Sequence, residues 1–265
     1  MRGTLTPENE SAIAVQERCE SSYVQCDPQL IEMAVHAAVR GAATEREFQD
    51  AREACYESAG SEARERAFVA VNQAWFARLR LASPILEVIE EFSYVSARTA
   101  RCILAPAYRA RDECAELYGH MPTPCADKPT LVIRLRPESF ARPNEITGLL
   151  RHELMHISDM LDPAFGYDPS PQQFLHDDGV PTVLRDRYRA LWDTYIDGRL
   201  VQEGRGAGIS YERRRAEFCS VFKMLDPLNI PAFDKVFGAA ELTHRHLLDF
   251  SRNPSAILEL AVAAR

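Results

Sequence analysis

The sequence lacks the segments that direct a chain into or across a membrane. It has no apolar run of about eighteen residues, the length that spans a bilayer as a helix. Its N-terminus lacks the apolar core of a signal peptide. The seven cysteines are an odd number and include no Cys-x-x-Cys pair, a pattern typical of thiols in a reducing compartment. We therefore expect a cytoplasmic protein with no membrane partner.

An excess of positive charge is also absent. The formal net charge is −8, which disfavours nucleic acids and anionic membranes as main partners. Arginines cluster at 185–189 and 213–215, but such short clusters are typical of solvated helix faces. The sequence therefore predicts no nucleic-acid partner, and it leaves the oligomeric state open.

The most informative motif that is present is His152-Glu153-Leu154-Met155-His156. On a helix, two histidines four residues apart project from one face, so both imidazoles can reach one metal ion. Apolar residues recur around the motif with helical spacing, at Ile146, Leu149, Leu150, Leu154, Ile157 and Leu161. Pro143 favours a helix start and Asp162-Pro163 a stop. We predict a helix of about five turns that is packed along one side.

The segment Leu150-Arg151-His152-Glu153-Leu154-Met155-His156 resembles the active-site helix of the zincin metallopeptidases. The resemblance implies that His152 and His156 bind Zn²⁺. It also implies that Glu153 is the general base that takes a proton from a zinc-activated water. A peptide or protein would then be the substrate.

Catalytic zinc takes three protein ligands, so the motif leaves one ligand to be found. The metzincin pattern does not apply, since Asp159 and Asp162 stand where that subfamily has a glycine and a third histidine. Asp159 lies on the histidine face, but about 7.5 Å of helix rise separates it from the midpoint of the pair. We interpret it as a residue that supports a histidine or as an ordinary polar residue.

The gluzincins, which take a glutamate from a later helix, offer a better match. Glu217 lies at the border of the apolar face of a helix predicted over 210–225, 61 residues after His156. One departure is that Ser220 and Val221 stand where many gluzincins have an aspartate that supports a histidine. The competing interpretation is that Glu217 pairs with neighbouring arginines.

Asp193 and Asp197 compete with Glu217 for the role of third ligand. Both lie opposite the apolar stripe of a helix predicted over 184–200, where a solvated surface is the commoner explanation. Gly198 keeps Asp197 in consideration, because a glycine inside a helix suggests close packing or a functional demand. We rank Glu217 first, Asp197 second and Asp159 third.

The remaining patterns indicate an α+β fold that is predominantly helical. Strands are predicted at 101–106 and 130–137, and a third at 113–118, which gives a small sheet before the motif helix. By resemblance to zincins, the strand beside the motif helix is an edge that binds extended peptide, with Arg134 and Arg136 on its outer row. The alternative is that these arginines keep an edge soluble.

The same patterns predict three regions. Residues 1–27 form a polar segment without expected structure, 28–100 a helical region, and 101–265 a zincin-like metal-binding domain. In the helical region, helices are predicted over 30–41, 44–58 and 61–81 and from Ser83 onward.

The sequence thus predicts a zinc-dependent metallopeptidase. The alternative is a non-catalytic or regulatory zincin-like protein that binds metal or peptide. An oxyanion-stabilising donor is also required, and the candidates that the sequence does not separate are Tyr167, His176, Tyr195, Tyr211, His244 and His246.

Overall fold

The computed structural model describes residues 23–119, 128–170, 182–206 and 210–260. The chain divides into two compact units, Met1–Leu150 and Arg151–Arg265. None of the described helices is both long and apolar enough to span a bilayer.

Five helices belong wholly to the first unit: α1 (Pro28–Val39), α2 (Glu45–Ala54), α3 (Ser61–Arg78), α4 (Ser83–Glu91) and α5 (Ser93–Arg98). Helix α1 begins where Asp27 accepts a hydrogen bond from the Gln29 amide, with Pro28 in the first turn. Its apolar side chains are buried, since Leu30 and Val35 have no exposed surface. The helices predicted in this region are confirmed.

A four-stranded mixed sheet completes the first unit. Its strands are β1 (Val24–Cys26), β2 (Arg101–Pro106), β3 (Cys114–Tyr118) and β4 (Thr130–Leu135). Their order is β1-β2-β4-β3, with β1, β2 and β4 parallel and β3 antiparallel to β4. The α+β class and the three predicted strands are confirmed.

The fourth strand corrects the expectation for the N-terminal segment. Residues 24–26 belong to the region predicted to be polar and without structure, yet they form β1. The reason is tertiary, because β1 is held by parallel pairing with β2, in which Val24 lies beside Cys102. Three residues are too few to show a strand pattern in the sequence.

Strand β4 is not an edge, which corrects a second expectation. It pairs with β2 on one side and β3 on the other, so among the described strands β1 and β3 are the edges. Its predicted alternation is confirmed, since Leu131, Ile133 and Leu135 are buried. Arg134 is bound within the sheet by Glu116 and by the hydroxyl of Tyr118. The backbone of β4 is therefore already paired on both sides and cannot add a further strand.

Helix α6 (Pro143–Leu161) carries the histidine motif and contains the boundary between the units. Its bounds match the prediction, with Pro143 in the first turn and a chain reversal after Leu161 in which the Phe165 amide bonds to the Asp162 carbonyl. The predicted apolar stripe is confirmed by burial of Ile146, Leu150, Leu154, Ile157 and Leu161.

The second unit adds α7 (Thr182–Gln202), α8 (Tyr211–Val221), α9 (Asn229–Phe237) and α10 (His244–Arg252). Helix α7 contacts all three of the others, and most of its C-terminal half is buried. Gly198 allows this packing, because a Cβ atom there would lie 1.9 Å from the carbonyl oxygen of Phe237. The close packing that Gly198 suggested is thus confirmed.

Candidate metal centre

The two histidines of the motif lie one turn apart on α6 and face each other. Their Nε2 atoms are 3.2 Å apart and their rings meet edge to face, with centroids 4.9 Å apart. Both side chains are largely buried, with 15% of His152 and 18% of His156 exposed. The helical spacing has therefore brought both imidazoles to one point, as the sequence predicts.

Asp193, on α7, completes a group of three potential ligand atoms. Its Oδ1 lies 3.1 Å from His156 Nε2 and 3.6 Å from His152 Nε2. Among the described residues, these side chains form the group whose donor atoms converge closely enough to hold a metal ion. Zinc with bonds of roughly 2.0–2.1 Å in tetrahedral geometry requires ligand atoms about 3.3 Å apart. The separations of the three atoms fit this requirement.

Asp197 supports His152 from the opposite side of the ring. Its Oδ1 lies 2.7 Å from His152 Nδ1, and the residue is 3% exposed. A carboxylate at this position accepts a hydrogen bond from Nδ1–H, which leaves the Nε2 lone pair of a neutral imidazole free for a metal. This is the carboxylate–histidine pair that commonly orients a metal-binding histidine.

These positions correct the expectation that Asp193 and Asp197 lie on a solvated face. Helix α7 is surrounded by its neighbours, so the side opposite its apolar stripe is buried as well. A pattern in the sequence could have identified the pair. Asp193 and Asp197 are four residues apart, as are His152 and His156, so two adjacent helices can place each aspartate beside a histidine.

Arg214, on α8, is the cation that faces the two aspartates. It donates from Nε to Asp197 Oδ2 at 2.6 Å and from Nη1 to Asp193 Oδ2 at 3.2 Å. Its side chain is 19% exposed, whereas the neighbouring Arg213 is 81% exposed. The expectation of a solvated arginine cluster is therefore wrong for Arg214. One turn of α8 exposes one arginine and buries the next, because successive residues point about 100° apart.

Glu217 is the residue that the sequence ranks first as third ligand. It lies beside Arg214 and outside the group formed by His152, His156 and Asp193. Its carboxylate accepts hydrogen bonds from Arg213 and Arg214, each at 3.0 Å, and its side chain is 44% exposed. The pairing with neighbouring arginines that the sequence left open is therefore present. Its role as a ligand stays a prediction.

Asp159, the third-ranked candidate, is buried behind His156. Its Oδ2 accepts hydrogen bonds from Trp192 at 2.8 Å and Arg199 at 2.6 Å. The Trp192 ring meets the His156 ring edge to face, with centroids 4.4 Å apart. Asp159 thus fixes Trp192, and Trp192 in turn limits where the His156 ring can lie.

The charges of the cluster shift the pKa values of its members in opposite directions. Burial by itself lowers the pKa of His152, but hydrogen bonds and charges from Asp193 and Asp197 outweigh burial and raise it to about 9. Burial likewise raises the pKa of Asp193, but the two histidines outweigh that effect and hold it well below the ordinary range. Without a metal, the cluster therefore favours a protonated His152 between carboxylates.

The other predicted site residues lie outside the group of three potential ligands. Glu153 is half-buried on α6, one residue after His152. Tyr195 accepts a hydrogen bond from the Leu242 amide, and the Tyr211 hydroxyl donates to Asp234. The rings of Tyr167 and His244 contact each other, His246 caps α10, and His176 lies outside the described residues. No oxyanion donor is singled out by these contacts.

No protein-family model matches the chain, and comparison with curated proteins and with solved structures finds no match.

Proposed function

We propose that this protein is a zinc-dependent hydrolase, and specifically a metallopeptidase of the zincin type. The observation that carries the proposal is the convergence of His152 Nε2, His156 Nε2 and Asp193 Oδ1 at separations of 3.1–3.6 Å. Two imidazoles and one carboxylate that leave a coordination position open are a common donor set of catalytic zinc.

Asp193 replaces Glu217 as the proposed third ligand. Asp193 directs Oδ1 at both histidines, whereas both oxygens of Glu217 are bound by arginines. The same donor set is known for Fe²⁺, whose octahedral geometry places adjacent ligand atoms about 3.0 Å apart. The observed separations of 3.1–3.6 Å fit either geometry, and the resemblance of the motif helix to that of the zincins is what favours zinc over iron.

Zinc held by these residues would polarise water and the scissile carbonyl. Glu153 follows His152 by one residue, so its carboxylate projects from the flank of the histidine face. We assign it the general-base role: it removes a proton from the attacking water and returns that proton to the leaving amine. His152 is held by Asp197 and contributes no proton to this transfer.

Metal content and turnover of the purified protein test the proposal. We expect about one zinc per chain after dialysis, measured by elemental analysis, and cleavage of a proteome-derived peptide library read by mass spectrometry. Glu153→Gln should keep its zinc and lose at least about 100-fold in turnover, since general-base catalysis contributes 10²–10⁴-fold.

Three results would contradict the proposal in different ways. Iron in place of zinc would refute the metal assignment. Zinc without cleavage of any peptide would favour the non-catalytic alternative, a protein that binds metal or peptide. Full turnover in the Glu153→Gln variant would remove the assigned base, and Glu145→Gln, an exposed residue of the same helix, is the matched control.

A further inference from the structure

Each aspartate of the centre uses its two oxygens for different partners. The Oδ1 atoms face the histidines, at 2.7 Å for Asp197 to His152 and 3.1 Å for Asp193 to His156. The Oδ2 atoms both face Arg214, at 2.6 Å and 3.2 Å. One guanidinium is thus shared by the proposed ligand and by the carboxylate that orients a histidine.

This arrangement matters because the terminal torsion of an aspartate is soft. The carboxylate of a free side chain rotates over a broad range, so neither oxygen is held toward a metal by the backbone alone. A planar guanidinium with donors in fixed directions removes that freedom, since binding Oδ2 also fixes where Oδ1 points. Arg214 also offsets the repulsion between two carboxylates one turn apart on α7.

We infer that Arg214 is a positioning residue that orients both Asp193 and Asp197 toward the histidines. This inference rests on the proposed function. The role requires the fork of donors as well as the charge, because Nε and Nη1 bind different carboxylates. Lysine offers one point charge and cannot reproduce two donors in fixed directions.

Arg213 provides a matched control on the same helix. It precedes Arg214, carries the same charge, and donates from Nε to Glu217 at 3.0 Å while 81% of its side chain is exposed. A substitution there removes an arginine and a contact with Glu217. It leaves the Asp193 and Asp197 contacts unchanged.

The test measures zinc affinity of Arg214→Lys, Arg214→Gln and Arg213→Gln by competition with a chelator. We expect about a 10- to 100-fold increase in the dissociation constant for both Arg214 variants, as for other residues that orient ligands. Arg213→Gln should stay within about twofold of the unsubstituted protein. Circular dichroism of the metal-free forms monitors folding, and Arg214→Lys carries the test if Arg214→Gln does not fold, since it keeps the buried charge.

Substitution with Co²⁺ gives a second readout that a purely structural role would not change. The visible absorption of bound Co²⁺ reports ligand geometry, so it should differ between Arg214→Lys and the unsubstituted protein and be the same in Arg213→Gln. Unchanged zinc affinity and an unchanged Co²⁺ spectrum in folded Arg214→Lys would overturn this inference and leave the proposed function standing. Absence of zinc binding by the unsubstituted protein would overturn the proposed function and this inference together.

Discussion

Two buried ion clusters, one in each unit, differ in how their acceptor atoms are satisfied. In the first unit, both carboxylate oxygens of Glu113 accept hydrogen bonds from Arg136, and Oε1 also accepts one from the Ser139 hydroxyl. In the second unit, three atoms that are acceptors in their basic forms converge within 3.6 Å, on His152, His156 and Asp193. A neutral His152 carries its one proton on Nδ1, where it donates to Asp197. A neutral His156 can therefore supply at most one proton to the three converging atoms.

The difference separates a structural ion pair from a candidate binding site. The Glu113 cluster balances one anion with one cation and has a donor for each oxygen, so it stabilises the fold without any further group. The second cluster needs an added cation, either a proton or a metal ion, to separate its converging lone pairs. The balance of donors and acceptors therefore distinguishes the two clusters.

The largest expected effect comes from removing the proposed third ligand. Asp193→Ala should weaken zinc binding by more than about 100-fold, since loss of a ligand exceeds the 10–100-fold effect of losing an orienting residue. Glu217→Ala should change it by less than about threefold. Both residues accept a hydrogen bond from Arg214 Nη1, at 3.2 Å and 3.0 Å, so Glu217→Ala controls for loss of that contact.

Zinc stoichiometry after dialysis and competition with a chelator measure both variants. Loss of zinc in Glu217→Ala with retention in Asp193→Ala would reverse our assignment and support the ligand that the sequence ranks first.

A smaller effect is expected where an orienting carboxylate is made neutral. Asp197→Asn keeps the shape of the side chain but removes the charge that holds His152, so we expect about a 10-fold loss of zinc affinity. The corresponding change in the other cluster, Glu113→Gln, should lower the free energy of unfolding by about 2 kcal/mol and leave zinc affinity unchanged. Chelator competition and urea unfolding of both variants measure the contrast. Equal zinc affinities in the two variants would remove the distinction between the clusters.

A separate effect concerns pH, and it is measured on the metal-free protein. Because the pKa of His152 is raised to about 9 in the folded state, its imidazolium contributes full stability below the unfolded value of about 6.5. This contribution is lost as the pH rises from about 6.5 through 9. The difference between about 6.5 and about 9 corresponds to a loss of roughly 3 kcal/mol in the free energy of unfolding, at about 1.4 kcal/mol per pKa unit.

Urea unfolding of the metal-free protein at a series of pH values measures this loss. His152→Gln should remove it. His246→Gln should keep it, since His246 is exposed and glutamine can also cap the first turn of α10. Constant stability of the unsubstituted protein between pH 6.5 and 9 would contradict the charge state assigned to the cluster.

Local patterns predicted much of the secondary structure and half of the candidate site. Helix α6 was predictable because its apolar stripe and its histidine pair lie within a single short segment, between Pro143 and Pro163. Strand β1 was not, because three residues carry no periodic pattern and depend on pairing with β2. Sequence patterns also could not show that β4 is an interior strand, since strand order follows from long-range pairing.

Asp193, the proposed third ligand, was ranked below Glu217 for a related reason. Periodicity identifies the side of a helix that faces a core, and it assigns the opposite side to solvent. That rule fails for α7, which contacts α8, α9 and α10. It therefore placed Asp193 and Asp197 on the surface. Glu217 remained as the carboxylate predicted to point inward, because it lies at the border of the apolar face of its own helix.

The sequence by itself determined that His152 and His156 share one helix face, because four residues complete about one turn of any α-helix. It also determined that Glu153 stands beside that face. Only the tertiary structure decided which carboxylates meet the histidines, since the distance between side chains on different helices depends on how those helices pack. Asp193 and Asp197 meet the histidines where α7 lies against α6, and Gly198 admits the close contact of α7 with Phe237 of α9.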